Sequence, residues 1–208
     1  MVALPDGRVV LFGGNGENGL HNDLFIFENS SWNAVAPANI PPSPLANHSA
    51  AVSNSQMYAF GGWGSPPGIV FGDMSAYNLQ TRKWTQPCQQ GDSPGPRFMH
   101  SMVSLPDGTL LVFGGLDQTG SLTSNWVFRC NPTTGTWERL AFHPRGSRYG
   151  HSAAFYGGKM YIWGGNDLSQ NLNDMWVYDP EKDEWSEVLQ PGGEHEAAGA
   201  GPTCHVWL

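Results

Sequence analysis

The chain has 208 residues and a formal net charge of −8, with 10 Lys+Arg against 18 Asp+Glu. That balance argues against general nucleic-acid binding, which needs a basic footprint to displace counterions. No apolar run approaches a membrane span, and the opening MVALPDGR lacks the apolar core of a secretory leader, so a cytoplasmic protein is expected.

Nine tryptophans, ten phenylalanines and six tyrosines supply an ample core. Glycine (27) and proline (16) make up about a fifth of the chain, but the glycines are periodic and flanked by apolar runs. No long stretch shows apolar residues at helical spacing, so almost no helix is expected. Cys88, Cys130 and Cys204 are odd in number, widely spaced and without a CxxC pair. Three small reduced thiols fit that pattern better than a disulfide framework or a zinc site. Asn29-Ser30-Ser31 and Asn47-His48-Ser49 match glycosylation sequons, which matter only in a secreted protein.

The elements run in sets of four short strands, a to d. In the first set a, b, c and d fall at 1–4, 8–13, 23–28 and 31–36. In the second they fall at 48–53, 56–61, 74–79 and 83–87. The third has 100–105, 109–114, 125–130 and 136–140. The fourth has 151–156, 159–164, 175–179 and 184–189. The a–b links are short: Pro5-Asp6-Gly7, Asn54-Ser55, Pro106-Asp107-Gly108 and Gly157-Gly158. Asp-Gly and Gly-Gly favour tight hairpins.

Each b strand (RVVLF, QMYAF, TLLVF, KMYIW) ends in a glycine pair: Gly13-Gly14, Gly61-Gly62, Gly114-Gly115 and Gly164-Gly165. The c strand then carries an aromatic, Phe27, Tyr77, Phe128 or Tyr178. Strand d opens near a tryptophan, Trp32, Trp84, Trp137 or Trp185. A His-Ser step starts the later a strands at His48, His100 and His151. A four-strand unit repeating at about 50 residues is the pattern of a propeller blade.

The glycine pair, spaced aromatic and spaced tryptophan, present in four copies over nearly the whole chain, resemble the kelch-repeat family. The resemblance implies an all-β propeller, read as one domain over 1–208. Its copies lie at about 1–47, 48–99, 100–150 and 151–200, and 201–208 begins a further inner strand. MVALPDGRVVLFGG aligns with MVSLPDGTLLVFGG at 102–115, so the first copy starts late. A fragment of a longer ring, a shortened product and closure by the last strand all stay open. An open arc would expose apolar faces and favour self-association.

Antiparallel order places the b–c loops and d–a connections on one rim, where variable segments on a rigid scaffold carry binding. The candidate rim residues are Arg97, Phe98, Arg145, Arg148, Tyr149 and Trp63. Arg97 and Arg148 each precede an inner-strand histidine by three residues, and Phe98 and Tyr149 follow them. Their structural role is to tie neighbouring blades to a carbonyl or carboxylate. Their binding role is bidentate contact with an acidic peptide. Trp63, with no aromatic equivalent in other copies, fits a channel cap or an interface anchor.

The periodic histidines, and Asp23, Asp73 and Asp174 with Ser124 as the exception, suit structural hydrogen bonding. The glycine pairs and the four tryptophans are read as blade structure. No non-repeating catalytic cluster and no metal or cofactor motif stands out. The expected function is a non-enzymatic interaction module for a protein or peptide, with no nucleic acid or membrane partner. The rival is a sugar-oxidase-like or sugar-isomerising enzyme, or a small-molecule binder, with its site in the central channel.

Overall fold

The computed structural model of the chain describes residues 1–64 and 68–188. Among these residues there are strands and turns and no helix. Blade one comprises β1 (Val2–Ala3), β2 (Val9–Gly16), β3 (Gly19–Glu28) and β4 (Ser31–Ala34). β5 (Leu45–Ala46) leads into blade two: β6 (Ser49–Ser53), β7 (Gln56–Phe60), β10 (Met74–Asn78) and β11 (Trp84–Thr85). β8 (Trp63–Gly64) and β9 (Ile69–Val70) lie between β7 and β10. β12 (Gln90–Gly91) precedes blade three: β13 (Ser101–Ser104), β14 (Leu110–Phe113), β15 (Trp126–Asn131) and β16 (Thr136–Phe142). Blade four is β17 (Ser152–Tyr156), β18 (Lys159–Trp163), β19 (Met175–Asp179) and β20 (Glu184–Glu187).

Each blade is an antiparallel meander in the order a-b-c-d, as the repeat predicted. The hairpins follow from their turns. Asn54 and Ser55 both take left-handed φ, 49° and 60°, the backbone of a two-residue turn whose twist matches its strands. Gly157-Gly158 does the same between β17 and β18.

Strand b explains the packing. In blades two and three it is buried on both faces, so it reads as a continuous apolar run. Successive side chains alternate between the two neighbouring blades. Met57 and Ala59 pack with Val10 and Phe12 of blade one, whereas Tyr58 and Phe60 pack with Leu110 and Val112 of blade three. Leu111 and Phe113 in turn pack with Met160 and Ile162 of blade four. The core is thus three slabs, each between consecutive blades.

The tryptophans join the slabs. Trp84 packs at a tilt against Phe12, Trp137 against Phe60 and Trp185 against Phe113, with centroids 4.6, 5.1 and 5.2 Å apart. Each d-strand tryptophan therefore lies on the last b-strand aromatic of the preceding blade. Trp32 departs from the expected core role. It contacts Phe27 of its own blade and is 46% exposed, because no described residue forms a blade on that side. Trp163, the matching b-strand aromatic of blade four, is 42% exposed.

Three further expectations are corrected. The b–c segment of blade one is not an open loop: β2 and β3 continue past the glycine pair, with a register shift at Phe12/Gly14, to the pairing Gly16↔Gly19. Blade three gains a fifth strand, because β12 pairs in parallel with β16 (Gln90↔Thr136, Gly91↔Trp137). Cys88 and Cys130 are not free thiols; they form a disulfide between blades two and three, with Cα atoms 6.0 Å apart and 42 residues of separation. Sequence could not show that pairing, since blade-to-blade packing alone brings the two residues together. Closing such a loop in the unfolded chain corresponds to about 4 kcal/mol by the chain-entropy argument. The expected inner strand at 201–208, with Cys204, and Leu189 of the last outer strand lie outside the described residues.

Candidate functional site: the rim at the blade junctions

The d–a connections and b–c segments meet at one rim. Phe98 bridges Leu116, Tyr149 bridges Asn166, and Ala46 of β5 pairs with Trp63 of β8. Trp63 is therefore the counterpart of Leu116 and Asn166, the first residue after each glycine pair. It is half-buried in a three-strand patch with Leu45–Ala46 and Ile69–Val70.

The glycine pair makes these junctions possible. Gly115 has φ 101°, and a Cβ on it would stand 2.8 Å from both the His100 Cβ and the Phe98 carbonyl oxygen. Such an approach, with such a backbone, admits only glycine.

Beneath the rim the inner histidines join blades. His100 Nε2 shares a 2.5 Å hydrogen bond with Ser49 Oγ, and His151 Nε2 a 2.8 Å bond with Ser101 Oγ. Each histidine thus reaches the serine of the preceding blade. Burial holds them neutral: His48 is lowered to about 4, His151 to about 3, and His100 well below the ordinary imidazole range. Among the described residues, no three His, Cys, Asp or Glu side chains converge as a metal would require.

Arg97 and Arg148 span the junctions, each only 1% exposed. The Arg97 backbone belongs to blade two: its N–H donates to the Phe71 carbonyl, and its carbonyl accepts from Gly62 at 2.8 Å. Its guanidinium belongs to blade three. It donates to the Gly114 carbonyl at 2.9 Å, also meets the Pro94 carbonyl, and lies 5.2 Å from the Phe128 ring centroid. Arg148 repeats this one blade on, donating to Gly164 at 2.9 Å while its own carbonyl accepts from Gly115.

The two arginines differ in their counter-ions. Arg148 grips Asp174 with both Nη atoms, at 2.6 and 3.0 Å. Trp176 Nε1 donates to the same carboxylate at 2.8 Å. Burial alone would raise the Asp174 pKa; the Arg148 hydrogen bonds and charge outweigh it and lower the pKa to about 2. At the equivalent position blade three has Ser124, which is exposed. No carboxylate lies within 4.0 Å of the Arg97 guanidinium among the described residues. Burial lowers its pKa to about 10, so it stays cationic at neutral pH.

Arg145 is the rim arginine with an accessible head, its side chain 50% exposed. It lies 3.3 Å from Asp174 and 3.7 Å from Glu187, and so joins the Arg148 network. Phe98 and Tyr149 are half-buried at successive junctions. The residues share one rim, but only Arg145 and Arg148 converge directly, through Asp174. His143 was not singled out from sequence. It is buried among Phe113, Trp176 and Trp185, with Nδ1 accepting from the Arg145 N–H at 3.2 Å. It stands outside the histidine repeat, so periodicity offered no signal for it.

Stacked four-strand blades, glycine-paired b strands and interblade tryptophans define a β-propeller repeat protein. The KLHDC2/KLHL20/DRC7 Kelch-repeats domain matches residues 1–107 and 73–207. The chain belongs to the kelch-repeat family, whose domains serve generally as protein-interaction modules. Human Kelch domain-containing protein 3 is 30% identical over 214 residues, covering 96% of this chain and 54% of that protein. Acyl-CoA-binding domain-containing protein 4 of Arabidopsis thaliana is 34% identical over 143 residues, 67% of this chain and 21% of that protein. The flagellar outer-arm dynein alpha chain of Chlamydomonas reinhardtii is 30% identical over 207 residues, 88% of this chain and 4% of that protein. The chain spans about half the length of the Kelch domain-containing protein 3 sequences it matches. No helix among the described residues is long and apolar enough to cross a membrane.

Proposed function

We propose that the rim formed by the b–c segments and d–a connections binds a protein segment bearing an acidic side chain, non-catalytically, at the junction of blades two and three. The observation that carries this reading is the contrast between Arg97 and Arg148. Blade four supplies a carboxylate to its arginine; blade three leaves the equivalent place to Ser124. A buried guanidinium met by carbonyl dipoles and the Phe128 ring, with no carboxylate, gains from an anion, since charge-assisted bidentate pairs are the strong ones. A partner Asp or Glu approaching over Ser124 would take the place that Asp174 holds in blade four. Phe98 lies at this junction and Trp63 at the one before it, and one blade on Arg145 holds a half-exposed cation beside Asp174 and Glu187. Aromatic and arginine side chains of this kind commonly anchor interfaces.

Ser124→Asp should pair with Arg97 internally, raising thermal stability while weakening binding of a labelled acidic peptide at least tenfold. Arg97→Gln should weaken the same binding but lower stability. Fluorescence anisotropy with Asp/Glu-rich peptides and their Asn/Gln counterparts measures the binding, and thermal unfolding the stability. Equal affinity for acidic and amide peptides, or undiminished binding by Ser124→Asp, sinks the proposal.

A further inference from the structure

Cys88 sits where the chain leaves blade two. It follows β11, precedes β12, and belongs to the d–a connection that continues through Arg97 and Phe98. Its backbone is left-handed, φ 53°, which a β-substituted residue adopts only when its surroundings hold it there. Two tethers do so, both from blade three. One is the disulfide to Cys130 in β15. The other is Trp137 Nε1, which donates to the Cys88 carbonyl at 2.8 Å. Trp137 is the cross-strand partner of Cys130, so both tethers rise from one spot on blade three. Just beyond, β12 lies along β16, and Gly91 is pressed against the Trp137 backbone.

We propose that Cys88–Cys130 is a site of reversible thiol–disulfide exchange that clamps this connection to blade three. Cys130 lies inside a strand paired on both sides and cannot move without unravelling the blade. Cys88 lies between two-residue strands and is the movable half. Both residues are buried, so a reductant reaches the sulfurs only when residues 86–92 lift from blade three. The reductant class is a dithiol. One of its thiolates attacks a protein sulfur and the S–S bond breaks. The departing cysteine sulfur leaves as a thiolate and takes a proton. The reductant's second thiol then displaces the mixed disulfide. Two electrons and two protons pass to the cystine, and the dithiol becomes a cyclic disulfide. In the reduced protein the Cys88 end of the connection is held to blade three by the Trp137 hydrogen bond, the Gln89 and Gln90 N–H bonds to the Gly135 carbonyl and the short β12 pairing, while Arg97 and Phe98 keep their own bonds further on. The segment presenting Arg97 is looser, and the oxidised form is the better binder. That last consequence rests on the proposed rim function; the clamp does not.

The test has two parts. First, protein equilibrated with oxidised glutathione is denatured and its thiols titrated. One free thiol of three, with a Cys88–Cys130 linked peptide in the mass spectrum, is expected. Three free thiols overturn the proposal. Second, amide exchange is followed by mass spectrometry in oxidised protein, in native protein reduced with dithiothreitol, and in Cys130→Val. Exchange over 86–96 should rise at least tenfold in the last two, with β18 of blade four unchanged. Equal exchange over 86–96 in oxidised and reduced protein overturns the clamp. If Cys130→Val loses protection in β18 as well, it has unfolded, and the reduced native protein decides alone. Altered exchange with no acidic-peptide binding in either form would reject the rim function and leave the clamp standing.

Discussion

Arg148 holds both carboxylate oxygens of Asp174, and the pair is shielded from solvent at the junction of blades three and four. Removing Asp174 leaves the buried Arg148 charge with the Gly164 carbonyl but no carboxylate. Asp174→Ala should cost about 3–5 kcal/mol, the range for breaking a buried ion pair. Urea denaturation measures it; a loss below about 1 kcal/mol would show that the pair contributes only its geometry.

Trp137 and Trp32 occupy equivalent positions with opposite environments. Trp137→Ala should destabilise by about 3–5 kcal/mol, because the ring fills the slab between blades two and three against Phe60. Trp32→Ala should cost less than about 1 kcal/mol, because half of its surface already faces solvent. Reversal of that order in thermal unfolding would contradict the slab packing.

The buried imidazoles set an acid limit. His48, His100, His143 and His151 all have folded pKa values lowered from 6.5, to about 4, well below, about 3 and about 3, with burial the leading cause. The unfolded chain therefore binds more protons between these values and 6.5. The stability of the neutral forms is fully present above pH 6.5 and is lost as pH falls through the folded values. Asp174 adds to the loss only below 3.8, as pH approaches its folded value of about 2. Urea midpoints should be level from pH 8 to 7 and fall steadily from 6.5 to 4.5. A flat profile down to pH 4.5 would show that these rings reach water in the folded state.

Trp32 and Trp163 leave apolar ground on the outward faces of blades one and four. Faces of this kind favour association. Sedimentation at rising concentration should show dimers or larger species, and Trp163→Lys should shift them toward monomer. A monomer at every concentration, unchanged by the substitution, would show that neither face is available.

The blades were legible because their determinants are local. Phe12, Phe60, Phe113 and Trp163, each before its glycine pair, mark strand b without knowledge of the neighbours. The glycines were legible as breaks but not in their cause, which is the histidine and carbonyl of the adjoining connections pressing on them. What escaped depends on which blades adjoin. Trp32 looks like Trp137 in sequence and differs only because no described blade precedes it. Cys88 meets Cys130 across a junction that no local pattern encodes. Arg97 and Arg148 were legible as a pair. Their burial, and the missing counter-ion at Ser124, appear only once the guanidinium is followed into the next blade.

β12 gives the chain a mechanical grain. A strand supplied by the exit of blade two runs along the outer edge of blade three, and the disulfide rivets the same crossing. Among the described residues the other junctions have no paired strand and no disulfide of this kind: Ala38 and Asn39 bond Arg82 and Trp84 where blade one meets blade two, and Ala141 bonds Asp183 where blade three meets blade four. A force applied to the two ends should therefore peel blades one and four first, as separate events. Blades two and three should yield last and together, with the 42-residue loop inextensible until the sulfur bridge is cut.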